Sequence, residues 1–177
     1  MSILTAGLHV ANIMNKPGAL LLFLTFSVLH VSYGQGVSAK KTEKINNVIQ
    51  ELFDGYRAGD STRVRAVFTA GAQAQTILTT TDGVDKLSEL KSVDNFINYI
   101  GGGLEEVHDE KLWDIKIHAD NQLATVWCNY AFFLGDKFIH CGTETFLLRK
   151  EKNDWKIFYL IDTRKSTGCK LPDGIKK

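Results

Sequence analysis

Proline is almost missing from this chain, at 2 in 177 residues, and cysteine is scarce at 3. With 15 Gly, 44% hydrophobic and 23% charged residues, the composition excludes a collagen-like, low-complexity or intrinsically disordered chain. Neither sign of charge is in surplus: 21 Lys and Arg stand against 20 Asp and Glu, a formal net charge of +1. Phosphate recognition needs basic side chains in excess to displace counterions, so this balance argues against a nucleic-acid partner. The length leaves room for one domain core, not two.

Long apolar runs are missing too. Ala19 to Leu29 is a weakly polar to apolar run of about eleven residues, short of the roughly twenty a membrane span needs. It reads as the core of a signal peptide. Lys16 supplies the preceding positive charge, and Ser32-Tyr33-Gly34 places small residues where a signal peptidase reads them, so cleavage after Gly34 is expected. Met14 opens a more ordinary signal peptide than Met1 does. The expectation is an exported protein, periplasmic or secreted, with no stable membrane anchor after cleavage of residues 1–34. Residues 35–43 are expected to be a flexible N-terminus, 44–170 the folded domain and 171–177 a flexible tail.

What is present is a change of period. Ile45, Val48, Ile49, Leu52, Phe53 and Tyr56 follow helical spacing, with Thr42 as cap and Gly59 as stop. Asp60 can cap a short second helix through Val64, Val67 and Phe68, and Ser92 a third carrying Val93, Phe96, Ile97 and Ile100. A short strand, Ala72 to Thr80, and an Asp82-Gly83 turn lie between them. Beyond Gly101-Gly102-Gly103 come four long β-branched and aromatic runs: Val107 to His118, Leu123 to Leu134, Lys137 to Lys150 and Trp155 to Arg164. Helices followed by a strand meander predict an α+β fold, with three N-terminal helices packed on one face of an antiparallel sheet.

A two-residue turn at Gly135-Asp136 would pair Leu134 with Lys137, placing Ala131 opposite His140, Asn129 opposite Gly142 and Trp127 opposite Glu144. The other face then receives Val126, Cys128, Tyr130, Phe132 and Cys141. Both faces are substantially apolar, and a homodimer through the sheet would cover the one the helices leave open. Cys128, Cys141 and Cys169 allow one disulfide and one buried thiol in an oxidising compartment, or three buried thiols. None has metal-type spacing to another Cys or to a His.

Several strings carry a resemblance. YRAGD (Tyr56 to Asp60), AVF (Ala66 to Phe68), LATVW (Leu123 to Trp127), HCGTETFLL (His140 to Leu148) and WKIFYLIDTRKSTGC (Trp155 to Cys169) resemble the nuclear-transport-factor-two-like superfamily. Its exported bacterial branch, often labelled SnoaL-like or putative lumazine-binding, is the nearest likeness. The resemblance covers most of residues 40–170. It implies a curved sheet wrapped round three helices as a cone with an internal cavity, commonly dimeric. It also implies a Cys141–Cys169 disulfide tying the C-terminal tail to the sheet, with Cys128 as the competing partner.

The strand pattern supplies candidate chemistry. His140 has a pKa suited to acid–base work, or is a hydrogen-bonded core histidine. Glu144 would gain a raised pKa if buried, or is a rim carboxylate. Asp162 and Arg164 could hold a carboxylate or hydroxyl substrate, or form a structural ion pair. Strict alternation puts both on the face opposite His140; one bulge would reverse that. Tyr56 can reach the cone opening, while Trp127 and Asn129 join the substrate-facing set, with Trp113 and Tyr130 as further stacking surfaces or core. These residues suggest a cofactor-independent lyase, a dehydratase or hydratase, working by His and carboxylate acid–base catalysis on a small polar substrate such as an unsaturated or acidic sugar. An isomerase, a non-catalytic small-ligand-binding protein and a structural module are the alternatives.

Overall fold

The computed structural model describes residues 37–80 and 82–175, so the expected signal peptide and its cleavage site lie outside the described residues. The first helix, α1, spans Ala39–Ala58 and is closed by Gly59 at φ 68°, a left-handed conformation that glycine adopts without a Cβ penalty. It begins before residue 44, inside the stretch expected to be flexible. Asp60 caps α2 (Ser61–Ala66) by accepting the Arg63 backbone N–H at 2.9 Å. Ser92 caps α3 (Val93–Gly101) through Asp94 N–H at 3.1 Å. Both caps are the residues the sequence offered.

The strands are β1 (Phe68–Thr79), β2 (Asp85–Leu87), β3 (Lys91–Ser92), β4 (His108–Ala119), β5 (Leu123–Leu134), β6 (Lys137–Glu151) and β7 (Asp154–Arg164). They form one sheet in the order β2-β1-β7-β6-β5-β4, with β3 also paired to β1. It is mixed rather than purely antiparallel, because β1 runs parallel to β7. The helices cover its inner face, where Ile45, Ile49 and Leu52 of α1 pack with Val126, Phe146, Leu148 and Ile157.

Three of the long strands reach this face through bulges. Leu134 pairs with Lys137 as expected, but Phe132 pairs with His140 while Phe133 pairs with Phe138, so Ile139 is an extra residue. The slip sets Tyr130 opposite Gly142 and Cys128 opposite Glu144. That corrects the expected pairing: His140, Glu144 and Phe146 share the inner face with Val126, Cys128 and Tyr130, whereas Trp127 and Asn129 face outward. A second bulge, at Phe158, lies between the pairs Leu148–Ile157 and Leu147–Tyr159. It puts Asp162 opposite Glu144, on the same face as His140. Each extra residue inverts the alternation that follows it.

Cys141 is bonded to Cys169 with their Cα atoms 6.1 Å apart, and Cys128 is free and buried. The bulge explains why Cys128 does not compete: it points inward while Cys141 points outward. At Gly142 a Cβ would sit 1.7 Å from Thr163 O and 2.9 Å from Tyr130 Cε1, so only glycine lets the Tyr130 ring and β7 close over this point.

Candidate active site

Between α1, α3 and the inner face lies a cavity of about 140 Å³. Its walls are hydrocarbon, with Phe53 meeting Phe146 edge-on at 6.1 Å and Tyr56 meeting Phe96 at 4.9 Å. Its other end is ionisable: Glu110 of β4, Glu144 of β6, and Asp162 and Arg164 of β7, with Thr76 of β1. Four strands therefore deliver polar groups to one point.

Asp162 is only 2% exposed, and its charge is fully engaged. It accepts from Thr76 Oγ1 at 2.6 Å, Tyr130 OH at 2.8 Å and Arg164 Nε at 2.5 Å. These three donors, one of them a guanidinium, satisfy a carboxyl group that burial takes away from water. Tyr130 OH also reaches Thr163 O at 3.1 Å. Asp162 thus fixes Tyr130 and Arg164, while Arg164, with 45% of its side chain exposed, still lines the cavity.

Glu144 is different. No protein donor reaches its buried Oε2, so ionisation would leave a bare charge. Burial, followed by the neighbouring charges of Glu110 and Asp162, pushes its pKa well above the ordinary carboxylate range. Glu110 lies within hydrogen-bond reach of it, and burial raises Glu110 to about 7. Two carboxyls so close oppose each other's ionisation, and the effect is to favour the protonated form of Glu144.

His140 is held between Tyr130, 5.6 Å away and edge-on, and Phe132 at 5.1 Å. Burial and the Arg164 charge lower its pKa to about 4, so it is neutral at pH 7, and its Nε2 is buried without a partner. It is not among the cavity-lining residues. Tyr56 does line the cavity, its hydroxyl pKa raised by burial and then by Glu110. Trp127 and Asn129 do not: Lys116 Nζ stands 5.1 Å from the Trp127 ring, and Asn129 donates to Asp114 Oδ2 at 3.2 Å, both on the outer face. His108 donates from Nδ1 to Glu106 O and accepts at Nε2 from Tyr99 OH, each at 3.0 Å, since a carbonyl can only accept. Asp109 accepts from Arg57 Nε at 2.8 Å.

Glu110 is the residue the sequence reading missed. Its signal was the period of two: once His108 opens a strand facing inward, Glu110 and Leu112 follow it.

No protein-family model matches the chain, and no curated protein matches it in sequence. Solved structures do match. A nuclear-transport-factor-two-like protein of unknown function from Pseudomonas putida is similar over 78% of this chain and 98% of its own, at TM-score 0.58 and 15% identity. One from Shewanella baltica, also of unknown function, is similar over 73% and 97%, at TM-score 0.55 and 16% identity. A protein of unknown function with a cystatin-like fold from Nostoc punctiforme is similar over 75% and 96%, at TM-score 0.58 and 11% identity. At such identities the likeness is one of fold, and it is compatible with lyase, isomerase or ligand-binding roles alike.

Proposed function

We propose that this chain, whose fold is that of the nuclear-transport-factor-two-like proteins, is a cofactor-independent lyase that adds or removes water on a small carbonyl or carboxylate substrate. One observation carries the reading: Glu110 and Glu144 lie together at the polar end of a largely apolar cavity, within hydrogen-bond reach, one carboxyl near neutrality and the other well above its ordinary range. In the dehydration direction, ionised Glu110 takes the proton beside the carbonyl and protonated Glu144 gives its proton to the departing hydroxyl, which leaves as water. The proton on Glu110 then returns to Glu144 through their hydrogen bond. Arg164, its Nε held by Asp162, keeps its remaining N–H groups for the substrate's carbonyl or carboxylate oxygen.

The cavity, at about 140 Å³, matches the volume that holds one benzene-sized ring. Its apolar walls would leave sugar hydroxyls without partners, so a short hydroxy acid or hydroxy ketone fits better than the expected sugar. The Cys141–Cys169 bond fits an exported protein, because disulfides persist in oxidising compartments.

The test is a panel of small hydroxy acids, hydroxy ketones and their unsaturated counterparts incubated with the protein in D2O, read by NMR and mass spectrometry. Expected are loss or gain of one water and deuterium at the carbon beside the carbonyl. kcat/KM should rise through about pH 7 as Glu110 ionises and fall at higher pH as Glu144 loses its proton. Glu110→Gln and Glu144→Gln should each cost at least about a hundredfold in turnover. His140→Ala should leave it within a few-fold; a hundredfold loss would move the acid–base work to His140. Deuterium uptake without a change of water makes the protein an isomerase, and saturable binding without either makes it a ligand carrier.

A further inference from the structure

The groups a sugar would need lie on the other side of the sheet. An open groove of about 410 Å³ crosses the outer face. Its floor is a row running over four strands: Trp113 of β4 pairs with Asn129 of β5, which pairs with Thr143 of β6, whose N–H donates to Thr163 Oγ1 of β7 at 3.0 Å. Three strand spacings make this row roughly 14 Å long, the length of about two sugar rings. It is already linked, with Thr143 Oγ1 donating to Asn129 Oδ1 at 3.4 Å and Asn129 Nδ2 to Asp114 Oδ2 at 3.2 Å. An indole plate at one end and amide and hydroxyl groups beyond it suit a ligand with one apolar ring face and hydroxyls around its edge.

Two further features show construction. Asp114 adopts φ 53° within the irregularity between Trp113 and Lys116, a left-handed conformation that costs energy for a residue with a side chain. It is the point at which β4 bends behind Trp113. The opposite wall is the C-terminal segment, folded back on Cys141 by reciprocal backbone bonds with Lys165 at 3.0 Å and by the disulfide to Cys169. That wall brings Lys165 and Lys170 to the groove, and none of the described residues lining it is acidic.

We propose that this groove is a binding site for a carboxylated sugar, its ring on Trp113, its hydroxyls on the Asn129–Thr143–Thr163 row and its carboxylate toward Lys165 and Lys170. The groove lies on the opposite face of the sheet from Glu110 and Glu144, shares Arg164 with the inner cavity, and has one wall held in place by the disulfide.

NMR titration of the purified, oxidised protein with glucuronate, glucose and acetate tests this. Glucuronate should move the Trp113 indole N–H and the Lys170 amide saturably, glucose should bind at least about fivefold more weakly, and acetate should leave the indole unmoved. Trp113→Ala should abolish the saturable response, and Lys170→Glu should remove the preference for glucuronate over glucose even if Trp113→Ala does not fold. Glu144→Gln should bind glucuronate as the unaltered protein does, which separates this site from the proposed catalytic one. No saturable movement at Trp113, equal affinity for glucose, an equal response to acetate, or loss of binding in Glu144→Gln would each overturn the proposal.

Discussion

The inner face of the sheet has two ends built on the same strands. At one, Val126, Phe146, Leu148 and Ile157 are buried to within 1% exposure against Ile45 and Ile49. At the other, a few residues along those strands, stand Tyr130, His140, Glu144 and Asp162, joined by Glu110 of β4. The Phe158 bulge falls between Ile157 and Asp162. Without it Asp162 and Arg164 would face outward. The hydrocarbon end needs only alternation and volume; the polar end needs alternation to be broken where β7 turns from packing to chemistry.

The contrast can be broken at several points. The largest effect is expected at Gly142→Ala, where the added methyl meets the Thr163 carbonyl and the Tyr130 ring. A loss of about 4 kcal/mol or more, read by urea unfolding, is expected, because backbone on both sides must move. At the hydrocarbon end Leu148→Ala should lose about 2–5 kcal/mol by the same measurement, without altering any pH profile.

Glu144→Gln should act in the opposite direction. The folded pKa of Glu144 lies above its unfolded value, so the folded protein binds the extra proton and its stability falls as pH rises above about 4.5. The variant should therefore be more stable than the parent at pH 8 and no more stable at pH 4. A loss of stability at pH 8 would mean that Glu144 is an ionised partner rather than a retained acid. The smallest effect is expected at His140. Its folded pKa of about 4 lies below the unfolded 6.5, so its contribution is complete above 6.5 and is lost as pH falls toward 4. His140→Gln should flatten that acid limb by about 1–2 kcal/mol. Glu110, raised to about 7, slopes the same way as Glu144, so between about 4.5 and 6.5 the parent should lose stability as pH rises, and His140→Gln should steepen that loss while Glu144→Gln flattens it.

Much of this was local and therefore readable. The stripe from Ile45 to Tyr56, the caps Asp60 and Ser92, the stop at Gly59 and the four long strands depend on neighbours within a few residues, and they stand where the pattern put them. The strings Asp162-Thr163-Arg164 and His140-Cys141-Gly142 marked the polar end and one partner of the disulfide. What the sequence could not determine is parity. Ile139 and Phe158 are apolar residues like their neighbours, and nothing in the string shows that they are the ones left unpaired, because a bulge is settled by cross-strand hydrogen bonding and by how far the sheet must bend over the helices. Those two residues turned Glu144 and Asp162 toward each other and Trp127 and Asn129 away. The meeting of Glu110 and Glu144 exists only there, since burial and proximity raise both carboxyls and join residues 34 positions apart in the chain.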